Sequence, residues 1–204
     1  MKKKGNVSAE HIIKEAVVLL QQSGVRAFTF RLLAKRVGCS EEMLYRYFVD
    51  LRSLFTAVIR TYATRHLTQA VSEITDPVGP SLQGKLMRFG VRLLLVMRDD
   101  DNTLDIYRCV ISDASHTDIG LLFSESGLRE ALEKLTFALD SAMMRKELRL
   151  ADPRVMSQQL FSLLYVTFWM RLLERAPQPL TLFQIRRLVQ DAVKVFLYGV
   201  SRPC

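Results

Sequence analysis

The chain has 204 residues, a formal net charge of +8 and a hydrophobic content of 49%. That composition excludes a disordered chain, and the scarcity of glycine, proline and alternating apolar-polar runs predicts an all-α fold. No apolar run reaches the roughly 18 residues of a membrane-spanning helix, and the start lacks the apolar segment of a signal peptide, so we expect a cytoplasmic protein that does not enter a membrane. Three cysteines without metal-ligand spacing predict reduced thiols.

Positive charge is concentrated near the start of the chain. Residues 1–55 contain ten Lys and Arg against five Asp and Glu, a net of +5, whereas the other 149 residues have a net of +3. This placement is typical of a module that faces nucleic acid phosphates. The first seven residues include three lysines, which predict either a solvated tail or a basic arm along DNA.

The first three predicted helices are short and well delimited. Ser8 is a good N-cap for the first, which Gly24 ends. Thr29 caps the second and Gly38 ends it, and Ser40 caps the third, which runs to Phe48. Two short helices joined by a glycine turn form a helix-turn-helix, although the spacing alone also fits an ordinary helical hairpin.

The amino-acid sequence of this region is similar to that of a known protein family. In four motifs the chain resembles the N-terminal domain of the tetracycline-repressor (TetR) family. The motifs are Ile12-Ile13-x-x-Ala16, Gly24-x-x-x-Phe28-Thr29, Leu33-Ala34-x-x-Val37-Gly38-x-Ser40 and Leu44-Tyr45-x-Tyr47-Phe48. Leu54 also lies where that family has a leucine. The resemblance implies a helix-turn-helix head over residues 1–50 and a larger helical ligand-binding and dimerisation domain over residues 51–204. Two departures are Glu42, where the family has a small residue, and Leu51, where it has a phosphate-binding lysine that the adjacent Arg52 could replace.

The head supplies the candidate DNA contacts. In the third helix we expect Met43, Leu44, Tyr47 and Phe48 to face inward and Glu41, Glu42, Tyr45 and Arg46 to face outward. Together with the resemblance, this predicts contacts to a double-stranded operator from Thr29, Arg31, Ser40, Glu41, Glu42, Met43, Tyr45, Arg46, Tyr47 and Arg52.

Six more helices follow, about nine in all. Asp50 caps a long helix whose apolar stripe continues without a break to Ile74. Helices at 81–97 and 104–111 follow, then a kinked segment at 115–127 that leads into a helix ending near 147. The last two, at about 153–175 and 181–198, are apolar beyond one face, which predicts a homodimer surface or burial within their own domain. In the family that the chain resembles, these two helices form a four-helix bundle between subunits.

The middle helices offer a candidate effector pocket. Apolar and aromatic side chains at helical spacing are usually core, but they could also line a cavity, with Tyr62, His66 and Tyr107 as polar anchors. The candidate lining is Tyr62, His66, Phe89, Leu93, Met97, Ile106, Tyr107, Phe123, Tyr165 and Trp169. The C-terminal half is faintly similar to AefR-like members of the family, which are linked to efflux.

Catalytic chemistry has no support in the sequence. No phosphate loop, nucleophile elbow or zinc-protease motif is present, and Asp113-x-x-His116 provides two potential metal ligands where a site needs more. We therefore predict no enzyme, no cofactor and no metal. The sequence favours a homodimeric repressor that a small, mainly apolar or aromatic effector releases from a palindromic operator. The alternative is a helical enzyme or interaction module with a head that merely resembles a DNA binder.

Overall fold

The computed structural model describes residues 7–75, 81–99 and 101–200, and the residues described are helical without strands. The predicted all-α class is therefore confirmed. The helices are α1 Ala9–Ser23, α2 Phe30–Val37, α3 Glu41–Tyr47, α4 Leu51–Val58, α5 Arg65–Thr75, α6 Leu82–Leu94, α7 Val96–Asp99, α8 Asp101–Asp113, α9 Ile119–Phe123, α10 Arg129–Met144, α11 Pro153–Leu172 and α12 Leu182–Val200. Most of the lysine-bearing start lies outside the described residues, so both interpretations of it stay open.

Two π turns connect helices that follow each other in the chain. Ile59–Thr64 connects α4 to α5, and Ser124–Leu128 connects α9 to α10, with non-helical backbone at Gly127 where the sequence predicted a kink. If each joined pair counts as one helix and α7 as the last turn of α6, the described residues contain nine helices, as predicted.

The predicted caps of the first helices are all present. The hydroxyl oxygens of Ser8, Thr29 and Ser40 each accept a hydrogen bond from the backbone N–H three residues later. Gly38 ends α2 in the left-handed conformation, with φ of 78°, which other residues rarely adopt. Asp50 and Ser53 form a reciprocal capping box at the start of α4. These caps fix where α2 ends and where α3 begins.

The chain divides into two compact units that differ from the predicted domains. Unit 1 comprises Met1–Thr64 and Asn102–Ser126, and unit 2 comprises Arg65–Asp101 and Gly127–Cys204. Unit 1 thus adds α4, α8 and α9 to the three-helix head, and an edge-to-face contact between the rings of Phe28 and Phe55, 5.1 Å apart, packs α4 against it. The division at residue 50 therefore stays a prediction about function.

Unit 2 is built around α6. This helix packs on α5 and α12, and it crosses α12 closely at Gly90. A Cβ atom at Gly90 would lie 2.5 Å from Cγ1 of Val189 and 3.0 Å from Cδ2 of Leu164, closer than side-chain carbons approach one another. Glycine is therefore required for this spacing between α6 and α12.

Candidate DNA-binding site and buried polar pair

Helix α3 presents nearly all of its surface to solvent. Leu44 is its one fully buried residue, at 0% exposure, and Phe48 just beyond the helix is also buried. Glu41, Glu42 and Arg46 are exposed, as expected for a helix that enters a groove. A short helix with a single apolar anchor and a charged outer face has the form of a recognition helix.

Two inward predictions for α3 are corrected. Tyr47 is exposed, and its hydroxyl donates to the carbonyl oxygen of Val7 at 2.5 Å, while Met43 is only half-buried. The reason is the length of α3: seven residues make about two turns, which is room for little more than one buried position. Leu32 of α2 is also exposed, although it is apolar.

A shallow depression of about 450 Å³ joins the two helices of the motif. Its lining includes four predicted DNA contacts, Thr29, Arg31, Glu41 and Tyr45. The ring of Tyr45 rests edge-to-face on that of Phe30, 4.8 Å away, so a side chain that is 53% exposed is nevertheless held in one orientation. Arg31 and Tyr45 therefore reach solvent from adjoining positions, where a phosphate group could contact both.

The basic side chains of the head divide into paired and unpaired ones. Arg36 is bound to Glu15 at 2.6 Å and to Gln22 at 3.1 Å, so it is tied to α1. Within the described part of the chain, Arg31 and Arg46 form no ion pair or side-chain hydrogen bond and remain available to an anion.

Arg52, predicted to replace the missing phosphate-binding lysine, has acidic neighbours. Its guanidinium lies 3.2 Å from a carboxylate oxygen of Glu125 and 3.9 Å from one of Asp118. All three side chains are substantially exposed, so these pairs are weak. Arg52 can reach a phosphate only by exchanging these carboxylates for it.

One face of α8 holds the end of α1 through polar contacts. The Gln21 amide donates to Asp105 at 3.0 Å, and the Cys109 thiol points to the carbonyl of Leu20 at 3.7 Å. Burial, with Asp105 and Asp113 nearby, raises the pKa of Cys109 to about 11, which keeps it a thiol.

The strongest of these contacts is at Asp113, the last residue of α8. Its side chain, 7% exposed, accepts a hydrogen bond from the backbone N–H of Val25 at 3.0 Å and pairs with Arg26 at 3.2 Å. It therefore fixes the turn between α1 and α2. From the sequence, Asp113 was a potential metal ligand only, and the one sign of its structural role is that an acidic residue ends an apolar helix.

In unit 2, two predicted effector residues form a buried polar pair. Nε2 of His66 and the hydroxyl of Tyr165 are 2.6 Å apart. Burial lowers the pKa of His66 to about 3, so the ring is neutral and its unprotonated nitrogen can accept a hydrogen bond from the Tyr165 hydroxyl. The rings of Phe161 and Phe168 flank Tyr165 at 4.5 and 4.8 Å, which makes the surroundings aromatic.

The other predicted pocket residues are distributed over both units. Tyr62, Ile106, Tyr107 and Phe123 belong to unit 1, where the rings of Tyr107 and Phe123 are 4.9 Å apart, while Phe89, Leu93 and Met97 are buried in unit 2. Trp169 differs from the expectation because it is 50% exposed. Helix α11 is apolar nearly all round, so its sequence could not indicate which face is buried.

Trp169 belongs to a broad exposed apolar surface on the last two helices. The side chains of this surface are large and apolar yet exposed: Val155, Leu163, Val166, Trp169, Met170 and Leu173 on or just after α11, and Phe183, Val195 and Tyr198 on α12. Four of them, Val155, Leu163, Val166 and Val195, line a groove of about 620 Å³ between α11 and α12. Such a surface is unusual on a monomer.

Two kinds of feature are absent from the described part of the chain. Among residues 7–75, 81–99 and 101–200, no three His, Cys, Asp or Glu side chains form a group that could hold a metal ion. Over the same residues, no helix combines the length and apolar character needed to cross a bilayer.

Known proteins match the chain in both halves. Residues 12–58 match bacterial regulatory proteins of the tetR family, and residues 84–199 match the AefR-like transcriptional repressor C-terminal domain. Tetracycline repressor protein class C of Escherichia coli is 32% identical over 90 residues, which are 44% of this chain. The match spans only 41% of the length of that curated relative.

Solved structures agree in fold over almost the whole chain. A TetR-family regulator from Mesorhizobium loti is 20% identical, with a TM-score of 0.74 over 95% of this chain and 96% of that one. The flavonoid-responsive regulator FrrA is 22% identical, with a TM-score of 0.69 over 96% and 98%. FadR from Bacillus subtilis, solved with stearoyl-CoA, is 16% identical, with a TM-score of 0.72 over 94% and 99%. The motif of α2 and α3, the helical architecture and the two family matches together establish that the chain belongs to the TetR family of transcriptional regulators.

Proposed function

We propose that the protein is a cytoplasmic, homodimeric repressor that leaves a palindromic operator when a small effector binds. The observation that carries this proposal is the capped motif of α2 and α3, whose second helix exposes Glu41, Glu42, Tyr45 and Arg46. In this proposal the head within residues 1–50 binds DNA, and residues 51–204 bind the effector and the second subunit.

Base recognition is assigned to Arg46 and phosphate contact to Arg31, Tyr45 and Tyr47. Arginine donates two parallel hydrogen bonds to guanine in the major groove, and each such pair contributes about 1–3 kcal/mol of discrimination. Glu41 and Glu42 can accept from cytosine, and they repel phosphates, so they restrict the sequences that α3 tolerates. Thr29, Ser40 and Met43 serve mainly to hold the two helices in position.

The experiment is selection of bound DNA from a random pool with the full chain, followed by affinity measurements on the selected site. Arg46→Ala should weaken binding by about 5- to 150-fold and relax the preference at one position in each half-site. Lys14→Ala is the matched control, because it removes the same charge from an exposed position on α1. Equal losses in the two variants would contradict the assignment of α3 as the recognition helix.

We assign the effector-binding site to the surroundings of His66 and Tyr165. A neutral imidazole and a phenol in an aromatic environment suit a mainly apolar or aromatic molecule with one neutral hydrogen-bonding group. Two proteins of this fold support an apolar or aromatic ligand, since FrrA is named as flavonoid-responsive and FadR was solved in complex with stearoyl-CoA, which carries a long acyl chain. A screen for compounds that release the selected DNA tests this, with Tyr165→Phe as the variant that loses the hydroxyl.

Release of DNA requires that effector binding and DNA binding weaken each other. An effector that prefers the DNA-free state about 100-fold shifts the equilibrium by about 2.7 kcal/mol, and DNA must weaken effector binding by the same factor. Equal effector affinity with and without operator would contradict this part of the proposal.

The dimer surface is assigned to the exposed apolar residues of α11 and α12. Val166→Asp should then dissociate the protein in sedimentation, because it places a charge in an apolar interface. Phe137→Asp is the matched control, since Phe137 is also apolar and exposed, at 71% against 56% for Val166, but lies on α10. A monomeric wild-type protein at micromolar concentration would contradict the assignment.

The alternative, a helical enzyme or interaction module, lacks a comparable observation. The family is one of transcriptional regulators, and the described side chains offer no metal-binding group. We therefore propose no catalytic activity and no cofactor.

A further inference from the structure

A groove on unit 2 lies apart from both the buried pair and the exposed apolar surface. It is formed by α5, α6 and α12 and has a volume of about 530 Å³. Its lining shares no residue with the groove between α11 and α12. We name it the α6–α12 groove.

The α6–α12 groove combines an apolar floor with a basic rim. Met87, Val91 and Leu95 are half-buried and recur every four residues along α6. The rim carries three exposed arginines, Arg88, Arg92 and Arg186, against one acidic residue, Glu73. The lining therefore has a net charge of +2 beside an apolar surface.

The arginines of the rim have no ionic or hydrogen-bonding partner among the side chains that the structure describes. Over the described residues, Arg88, Arg92 and Arg186 form no ion pair or side-chain hydrogen bond, and Glu73 forms none with them. Arg88 and Arg92 are also four apart on one helix face, where like charges disfavour the helix. An anion between these groups would relieve that repulsion and accept their hydrogen bonds.

The walls of the groove are held at a fixed spacing. The close crossing at Gly90 lies beside Val91 of the floor, and its partner Val189 lies between Arg186 and Gln190 of the lining. The groove is therefore preformed, which reduces the entropy cost of binding.

The size of the groove decides what kind of ligand fits. Small-molecule sites have volumes of about 300–1,000 Å³, which includes this groove. A stable protein partner would need about 1,000 Å² or more of contact surface, which a groove of this volume does not supply by itself.

We infer that the α6–α12 groove is a second ligand site for a small amphipathic anion. The apolar body lies on Met87, Val91 and Leu95, and a carboxylate or phosphate headgroup binds Arg92 and Arg186, with Arg88 adding positive charge. This inference goes beyond the proposed function, since the site is separate from the His66–Tyr165 pair and its test uses no DNA.

The test is calorimetric titration of the full chain with decanoate, decyl phosphate and neutral decanol. We expect saturable binding of decanoate or decyl phosphate below about 1 mM and weaker binding of decanol. The two anions distinguish a carboxylate-specific site from a phosphate-specific one.

The decisive test is a double variant that carries both Arg92→Gln and Arg186→Gln. It should bind the two anions at least about tenfold more weakly than the wild type. The matched control is Arg129→Gln with Arg187→Gln, which removes the same charge from exposed positions outside the groove. Equal weakening in both double variants would overturn the inference, as would decanol binding as tightly as the anions. Absence of saturable binding by the wild type below about 1 mM would also overturn it.

Discussion

The contact of Asp113 with the turn between α1 and α2 gives a sharp quantitative prediction. In Asp113→Ala, the backbone N–H of Val25 loses its acceptor at a position that is 8% exposed. A hydrogen bond to a charged partner contributes about 1.5–3 kcal/mol, and a buried donor without a partner costs a similar amount. The ion pair with Arg26 adds little, because the Arg26 side chain is 68% exposed. We therefore expect Asp113→Ala to destabilise the turn by about 2 kcal/mol.

Two companion variants separate the contributions. Asp113→Asn keeps an acceptor oxygen and should cost about 1 kcal/mol, while Arg26→Ala should cost less than about 0.5 kcal/mol. Hydrogen exchange of the Val25 amide is the direct assay, since about 2 kcal/mol corresponds to about 30-fold faster exchange. Exchange in Asp113→Ala within about threefold of the wild type would refute the reasoning.

Three further predictions concern other parts of the molecule. The pKa of His66 is lowered to about 3 in the folded chain, whereas the unfolded chain binds the extra proton below about pH 6.5. The contribution of His66 to stability is therefore complete above that pH, and the free energy of unfolding should be about 2 kcal/mol lower at pH 5. Urea titrations should find this loss absent in His66→Gln. Gly90→Ala should lower the melting temperature, since the added carbon would meet α12 at 2.5 Å, whereas Gly199→Ala should not, because nothing lies within 4 Å of that position. Glu125→Gln should strengthen DNA binding by up to about fivefold in a filter-binding assay by releasing Arg52, and weaker binding would contradict the view that the two compete.

The head could be predicted from sequence because its signals are local. Ser8, Thr29, Ser40 and Asp50 each cap a helix by accepting a hydrogen bond from the backbone N–H three residues later, and Gly38 ends α2 by its own backbone freedom. Such features depend little on the rest of the fold. The family resemblance rests partly on the same residues, Thr29, Gly38 and Ser40, and the DNA contacts that it implies stay a prediction.

The contacts that could not be predicted join distant parts of the chain. Asp113 binds Val25 and Arg52 binds Glu125, across 88 and 73 residues, and neither pair has a local signature. Trp169 was misplaced for another reason: a helix that is apolar on every face gives no indication of which face is covered.

The π turn was missed although the sequence contains a clue. Buried residues recur every four positions at Phe55, Ile59, Ala63, Leu67 and Val71. In an α-helix each such repeat drifts by about 40°, so four repeats would carry the stripe about 160° round the helix. The wider turn at Ile59–Thr64 contains one extra residue and so offsets about 100° of this drift. A stripe that stays in phase at a period of four is therefore itself a sign of a π turn.

That turn also bears on how the chain can be aligned with its relatives and how it can change in length. The turn accommodates one residue more than an α-helix would over the same stretch. A relative with an uninterrupted helix would align with this chain only through a one-residue gap inside the helix. Conversely, losing one residue here would close an ordinary turn and remove the offset of about 100° that keeps the buried positions in phase. The number of residues in this turn is therefore constrained as well as their composition.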